Sequence, residues 1–405
     1  SPLNKVHHHA VLDLPFRSYF LSAVLCSIFA LTIWGAFLNG YINIGLSQLS
    51  PTTWHIHEML FGFAATVAVG FILTAAQTWT DNASIKGLAV LGFITLWLIV
   101  RVCLAMSLIA DTEINQSLFL YTAIALQLIW WLGSILVFAK LVLSSKNKRN
   151  YIFIPLLIAL MLTNISLLIL DVNGDKALSL HVARTAVLLF CLLMGLLGGR
   201  VIPFFTASGA KTPAIQTPNW LTILITTLSL LGILAFFSGY FIQLPFTPAI
   251  LMISAGLAHL IRLSYWRTTS TLKISLLWSL HLSYFSLGLG LILLGSSYLF
   301  VIESPFYISF SDAIHVITIA AMGLMIFAMM SRVSLGHTGR ALLPHKFVSW
   351  IFLLIFISAI TRVLMPMFQH SLLGWNISLS TWLIAASLFL IIYIPVLTKP
   401  KRNRI

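Results

Sequence analysis

The chain has 405 residues, of which 60% are hydrophobic and 8% are charged, and its formal net charge is +14. Soluble domains carry about 25% charged residues, so this composition excludes a soluble globular domain and indicates a polytopic membrane protein. A positive net charge is typical both of nucleic-acid-binding proteins and of membrane proteins with basic cytoplasmic loops. The placement of the basic residues therefore has to distinguish these two classes.

Twelve apolar segments are long enough to form helices that cross a lipid bilayer. They are predicted at 17–39, 51–78, 87–109, 114–142, 151–170, 177–202, 219–240, 247–266, 274–299, 306–331, 347–366 and 376–398. We therefore predict an all-α polytopic membrane protein with a single transmembrane domain over 1–405, including an N-terminal tail (1–16) and a basic C-terminal tail (399–405). The longest predicted linkers are 203–218 and 332–346.

The basic residues indicate the orientation of these helices. If the N-terminus is cytoplasmic, all but four of the 23 Lys and Arg residues fall in cytoplasmic tails, loops or adjoining helix ends. The exceptions are Lys176 in an outer loop and Arg101, Arg184 and Arg362 inside spans. The positive-inside rule then places both termini in the cytoplasm. The net charge reflects membrane topology, and no nucleic-acid partner is expected.

The second predicted helix begins with an unusual polar stretch. Ser50 is a favourable N-cap and Pro51 a favourable first helical residue, and His55, His57 and Glu58 follow within the first turns. Residues two apart on a helix point about 200° apart, so the two histidines would face different sites. Ionisable side chains in membrane helices are costly and usually functional.

Seven histidines are candidate metal ligands. Six lie in or beside predicted spans and the seventh lies in a cytoplasmic loop; in chain order they are His55, His57, His181, His259, His281, His315 and His337. A buried imidazole needs a hydrogen-bond partner or a metal. The structural alternative for each is a bond to a neighbouring carbonyl or hydroxyl group.

Some of these histidines have a polar residue one helical turn away. Asp312 precedes His315 by three residues and Glu58 follows His55 by three, so each carboxylate would orient an imidazole. Arginines three residues after His181 and His259 would hold carboxylates such as haem propionates. The residues predicted to supply protons are Glu58, Asp312 and Tyr284, the last of which follows His281 by three.

The predicted depths of three histidines place them at two nearby levels of the membrane. His315 would lie about 13 Å below the outer face, and His259 and His281 about 10–12 Å above the inner face. In a core of about 30 Å these levels are about 5–8 Å apart, so one haem, or a haem and a nearby metal, would bridge them. The chain has no Cys-x-x-Cys-His motif, so the haem would be non-covalent haem b.

Four stretches carry a resemblance to a known family. They are Pro-Phe-Arg at 15–17, His-Ile-His-Glu-Met-Leu-Phe-Gly-Phe at 55–63, Gly-Arg-Val-Ile-Pro-Phe-Phe-Thr at 199–206 and Met-Ser-Arg-Val-Ser-Leu-Gly-His-Thr-Gly-Arg at 330–340. Together and in this order they resemble the NnrS family. The resemblance implies a bacterial inner-membrane protein that contains haem and copper and is linked to denitrification and tolerance of nitric oxide.

Histidines on the second, sixth and tenth helices favour three repeats of four helices, as in the catalytic subunits of haem–copper oxidases and nitric oxide reductases, which the chain resembles in architecture. The seventh helix has no histidine, so the copper pattern of those enzymes does not carry over.

We predict that His57 and His315 share one haem, with Asp312 or a water orienting His315. His55 would face a second site that includes His181, His259 or His281. Arg200 and Arg332 are predicted to contact the cofactor.

The sequence is compatible with three functions. The first is a haem enzyme that reduces two nitric oxide molecules to N2O and water with two electrons and two protons, from a quinol or cytochrome donor that the sequence does not identify. The second is a non-enzymatic haem protein that senses or buffers nitric oxide. The third is a transporter of a metal or an iron–nitrosyl species.

Overall fold

All secondary-structure elements in the computed structural model, which describes residues 2–44 and 47–402, are helical. Twelve helices correspond to the predicted spans. They are α1 Pro15–Leu38, α2 Pro51–Thr80, α3 Leu88–Ile109, α4 Glu113–Ser144, α5 Phe153–Val172, α6 Lys176–Gly209, α7 Asn219–Ser238, α8 Ala249–Ser264, α9 Ser275–Ser296, α10 Phe310–His337, α11 Val348–Met367 and α12 Ser371–Thr398. Eleven of these described helices have the length and hydropathy of membrane spans, and α8 is shorter, with 16 residues. The prediction of an all-α polytopic membrane protein is confirmed.

The N-terminal region contains more structure than the predicted tail 1–16. A short helix at Pro2–His7 and a 3-10 turn at Ala10–Leu12 precede α1. Pro15 then opens α1 at a position where its missing N–H costs no helical hydrogen bond. Of the predicted tail 399–405, the last three residues lie outside the described residues. The cytoplasmic location of both termini stays a prediction.

Both long predicted linkers start too early. Helix α6 continues through Pro203 to Gly209, and α10 continues to His337. Arg332 and His337 are therefore helical residues, which corrects the prediction of a loop at 332–346. The prediction ended each helix within two residues of an arginine, but an arginine can remain inside a membrane helix when its side chain packs against a ring, as Arg332 does.

Two helices depart from regular α geometry directly after a histidine. In α2 a π-helical segment, Glu58–Ala64, follows His57. In α10 a π-helical segment, Val316–Gly323, follows His315. Neither segment contains a proline that would force the change, and π-helical turns occur frequently at functional sites. Helix α6 has no such segment, so the threefold repeat stays a prediction.

The chain divides into two compact units. Unit 1 comprises Ser1–Ala183, Val333–Leu342 and Leu390–Ile405, and unit 2 comprises Arg184–Arg332 and Leu343–Phe389. The single transmembrane domain stays a prediction. In each unit buried polar side chains surround a histidine, His57 in unit 1 and His259 in unit 2, and these two clusters are the candidate sites.

In unit 1, the first membrane helix is hydrogen-bonded to the C-terminal end of the last one. The guanidinium of Arg17 donates hydrogen bonds to the carbonyl oxygens of Leu397 (2.9 Å) and Lys399 (2.7 Å). These carbonyls belong to the last turn of α12 and the residue that follows, where an arginine is a favourable cap. The backbone N–H of Phe16 donates to Thr74 Oγ1 at 3.1 Å. The Pro-Phe-Arg stretch at 15–17 therefore joins α1 to α2 and α12.

In unit 2, α8 and α9 approach each other closely through glycines. A Cβ atom added to Gly256 would lie 2.5 Å from the carbonyl oxygen of Gly288. Small residues at such contacts let two backbones pack directly in a membrane. This contact places the polar residues of α8 and α9 side by side.

Candidate functional site

The candidate site of unit 1 surrounds His57, which is fully buried. Its Nδ1 lies 3.0 Å from Glu58 Oε1, and its Nε2 lies 2.7 Å from Asn164 Oδ1. A carboxylate only accepts hydrogen bonds, so Nδ1 donates to Glu58 and Nε2 is the lone-pair nitrogen of the neutral ring. Exchanging the oxygen and nitrogen of the Asn164 amide turns an N–H toward Nε2 and also gives a partner to Asn164 Nδ2, which otherwise has none.

The charge of Glu58 is compensated by an arginine of α3. Arg101 Nε lies 3.2 Å from Glu58 Oε2, and Arg101 Nη2 donates to Gln127 Oε1 at 3.1 Å. Gly62, inside the π-helical segment, makes room for the guanidinium, because a Cβ there would lie 2.7 Å from Arg101 Nη1. Both charges are buried and paired, as charges in a membrane interior need to be.

The start of α2 is fixed by an aspartate of α5. Asp171, which is fully buried, accepts hydrogen bonds from the backbone N–H of Ser50 (2.7 Å) and from the hydroxyls of Ser50 and Thr53 (2.8 Å each). Lys176 Nζ lies 3.1 Å from the same carboxylate. Asp171 lies two helical turns from Asn164, so the same face of α5 holds both the first turn of α2 and His57.

His55 and His57 have different neighbours. The His55 ring stacks on Trp34 of α1 with a centroid separation of 4.4 Å, whereas His57 contacts Asn164 of α5. The predicted partner of Glu58 was His55, three residues away. The structure corrects this, since Glu58 bonds the adjacent His57 instead.

The candidate site of unit 2 surrounds His259 of α8, which is 1% exposed. Its Nδ1 lies 2.6 Å from the Tyr284 hydroxyl of α9, and that hydroxyl also accepts a 2.7 Å hydrogen bond from Arg262 Nε. Arg262 Nη2 donates to the carbonyl oxygen of Gly195 at 2.6 Å. His259 Nε2 is buried and has no hydrogen-bond partner. A buried polar atom without a partner is an exception that calls for a bound ligand, a water or an ion.

Two glycines of α6 accommodate this cluster. A Cβ atom at Gly195 would lie 3.0 Å from His259 Cε1, and one at Gly199 would lie 2.6 Å from Arg262 Nη1. The spacing of four residues in this glycine pair predicts close helix packing. In the structure the space above these two glycines is filled by the side chains of His259 and Arg262 of α8. These side chains are three residues apart, so they lie about one helical turn apart, as the two glycines do.

His281 is bonded at both nitrogens. Its Nε2 lies 2.7 Å from Thr206 Oγ1, and its Nδ1 lies 2.9 Å from Thr268 Oγ1. This arrangement is the hydroxyl-bonded alternative that the sequence leaves open. Tyr284, predicted beside His281, bonds His259 instead, because its hydroxyl points across to α8.

His315 has a different orienting partner from the one predicted. Its Nδ1 donates to the carbonyl oxygen of Ser311 at 2.6 Å, one turn earlier in α10. Asp312 instead binds Arg362 of α11, with 2.7 Å between Oδ1 and Nη1. When the ring is neutral, this bond places its hydrogen on Nδ1 and leaves Nε2 unprotonated, which is the form that binds metals.

The remaining predicted residues lie on α6 and α10. His181 and Arg200 are on α6. The His337 ring lies 5.5 Å from the Phe16 ring in unit 1. Arg332 lies over the Phe205 ring in unit 2, with 4.1 Å from its guanidinium carbon to the ring centroid.

Outside the membrane helices, Tyr298 lies near Arg184. Burial raises the pKa of Tyr298 to about 12, although the Arg184 cation opposes the rise. The phenol therefore stays protonated at neutral pH and gives Arg184 no negative charge. The Arg184 guanidinium lies 4.4 Å from the centre of the Phe310 ring.

The donor set can be tested against the predicted haem and copper. Among the described residues, no three His, Cys, Asp or Glu side chains lie close enough to share a metal ion. These residues therefore do not fit a copper site with several protein ligands. A haem needs only one or two axial ligands, and the buried, unpartnered Nε2 of His259 fits that requirement.

Comparison with known families gives one match. The family model described as NnrS protein matches residues 10–401, nearly the whole chain. A comparison with curated proteins gives no match.

Proposed function

Because the chain belongs to the NnrS family, we propose that it is a multi-pass membrane haem protein of the nitric oxide response, in the bacterial inner membrane, and that it binds nitric oxide. The observation that supports a haem ligand in this chain is the open nitrogen of His259. Haem b would supply an iron that binds nitric oxide and exchanges electrons. His259 Nε2 would hold it.

The neighbours of His259 match the surroundings of a ligating histidine. With Nε2 on a metal, Nδ1 carries the ring hydrogen and donates it to Tyr284 Oη, which fixes the tautomer and the ring orientation. Arg262 Nε also donates to Tyr284 Oη. The phenol then accepts two hydrogen bonds, which polarise its own O–H and make Tyr284 a proton donor at Oη. This agrees with its predicted role.

The reaction that we propose is the reduction of two nitric oxide molecules to N2O and water. Glu58, paired with Arg101, and Asp312, paired with Arg362, are further carboxylates for proton transfer. Electrons would come from a quinol or a cytochrome. A non-enzymatic nitric oxide sensor or buffer and a transporter remain the alternatives. The His57–His315 ligand pair and copper stay predictions.

Optical spectra of the purified full-length chain test the haem proposal. We expect a reduced-minus-oxidised spectrum of a non-covalent b-type haem and a matching haem extract. His259→Ala should lower the haem content about tenfold or more, because it removes the ligand. His281→Gln is the control, since both nitrogens of His281 already have partners, and it should keep the haem.

The outcomes separate the hypotheses. A wild-type chain without haem would contradict the proposed function. A His259→Ala variant with an unchanged spectrum, alongside His57→Ala and His315→Ala variants without haem, would assign the ligands to α2 and α10 instead. Anaerobic turnover of nitric oxide with a reductant distinguishes an enzyme from a sensor or buffer.

A further inference from the structure

Arg332 differs from the other buried arginines of the chain in its bonding. Arg17, Arg101 and Arg262 donate to carbonyl, amide or phenol oxygens, and Arg101 also pairs with a carboxylate. Arg332 is 7% exposed, and within the described part of the chain its guanidinium makes neither a hydrogen bond nor an ion pair. Its contact is the face of the Phe205 ring at 4.1 Å.

An isolated guanidinium is costly in such a place. It has five N–H donors and keeps its charge, so burial removes its hydration without replacing it. A ring face attracts the cation but accepts none of its N–H groups in the guanidinium plane. The edge of the group therefore still needs an acceptor with a negative charge.

The geometry specifies the shape of the missing partner. A guanidinium that lies on a ring presents its N–H groups as a planar fork, and this fork matches the two oxygens of a carboxylate or a phosphate. Arg332 and Phe205 also belong to two of the stretches that carry the family resemblance, 330–340 and 199–206. The site proposed around His259 uses neither residue.

A second arginine on a ring provides a comparison. Arg184 of α6 lies over Phe310 of α10, whereas Arg332 of α10 lies over Phe205 of α6. Arg184 is only partly buried and so can keep water on its N–H groups. Arg332 is held in the same way and is more deeply buried as a residue, at 7% exposure, so less water reaches its N–H groups and the need for an anion is greater.

We propose that Arg332 binds an oxyanion, the carboxylate or phosphate group of a molecule lodged beside Arg332 and Phe205 in unit 2. Two kinds of ligand available to a membrane haem protein carry such a group. Haem carries a propionate, and an anionic lipid carries a phosphate. The proposal concerns the shared chemistry of these groups and stands independently of the ligand to the iron.

Native mass spectrometry and haem extraction of the full-length chain test this proposal. The chain is reconstituted in nanodiscs of phosphatidylglycerol or of phosphatidylcholine, and retained lipid and haem are counted after release into detergent. Arg332→Gln removes the charge and the fork, Arg332→Lys keeps the charge alone, and Lys273→Gln removes an exposed charge as the control. The assay needs neither turnover nor nitric oxide.

We expect Arg332→Gln to lower the retention of one ligand about tenfold, Arg332→Lys to lower it less, and Lys273→Gln to leave it unchanged. Loss of haem with normal lipid identifies a carboxylate, and loss of phosphatidylglycerol with normal haem identifies a phosphate. Unchanged retention of both ligands in a folded Arg332→Gln variant overturns the proposal. Where that variant does not fold, unchanged retention of both in Arg332→Lys overturns it. A chain without haem that still loses lipid would contradict the haem function and support the oxyanion site.

Discussion

The histidines at the centres of the two clusters differ in how completely their ring nitrogens are bonded. In unit 1 both nitrogens of His57 have partners, and the carboxylate of Glu58 lies between His57 and Arg101. In unit 2 His259 bonds only through Nδ1, and Arg262 has neutral oxygens as its partners instead of a carboxylate. A histidine bonded at both nitrogens helps to hold its helices together, whereas one with an unpartnered nitrogen is suited to bind something else.

The largest effect is expected where a charge is removed from the cluster around His57. Arg101→Met should lower the free energy of unfolding by about 3–5 kcal/mol, because it leaves Glu58 buried without a counter-charge. The measurement is the stability of the purified chain to heat or denaturant. The double variant with Glu58→Gln should recover part of the loss. A single variant as stable as the wild type would show that the Glu58–Arg101 pair does not hold unit 1 together.

The positions of the helices could be predicted from the sequence because a membrane span needs a long apolar segment and little else. Helix α3, predicted at 87–109, is Leu88–Ile109 in the structure. The partners of the polar side chains could not be predicted in this way. Arg101 lies in a helix that is apolar on every side, so no amphipathic pattern shows that it points toward Glu58.

The predicted pairs with Glu58, Tyr284 and Asp312 are wrong for a common reason. They joined residues three apart, such as His281 with Tyr284, although the hydroxyl of Tyr284 bonds His259 on another helix. The π-helical segments after His57 and His315 have no proline or other marker in the sequence. One signal was present: the spacing of Gly195 and Gly199 on α6 complements that of the side chains on α8.

Removing the hydroxyl that His259 and Arg262 share tests the open cluster. Tyr284→Phe leaves His259 Nδ1 and Arg262 Nε without a partner, so we expect a loss of about 1.5–3 kcal/mol of stability. The variant should also shift the spectrum or the reduction potential of a haem held by His259. A spectrum that does not change while the stability falls would leave Tyr284 a structural role only.

The glycines of α6 offer a smaller test of the same cluster. Gly199→Ala places a methyl group 2.6 Å from Arg262 Nη1, and Arg262 cannot move freely because Gly195 and Tyr284 hold it. We expect a loss of about 1–3 kcal/mol, measured by thermal unfolding. Gly92→Ala is the matched control, because a Cβ there has no neighbour within 4 Å, and it should be neutral or stabilising. Equal effects of the two variants would contradict close packing at Gly199.

The smallest effect is expected at His281, the closed histidine of unit 2. Thr206 Oγ1 donates to the carbonyl oxygen of Ile202 at 2.7 Å, so it accepts the hydrogen of His281 Nε2, and Nδ1 then accepts the hydroxyl hydrogen of Thr268. Thr206→Val keeps the shape and leaves one N–H without an acceptor, which should cost about 1 kcal/mol. Thr226→Val, on the partly buried face of α7, is the control and should change stability by less than about 0.5 kcal/mol.

The haem spectrum should be unchanged in both variants, because a histidine bonded at both nitrogens has none left for iron. A spectral change in Thr206→Val without one in Tyr284→Phe would reverse the roles of His281 and His259.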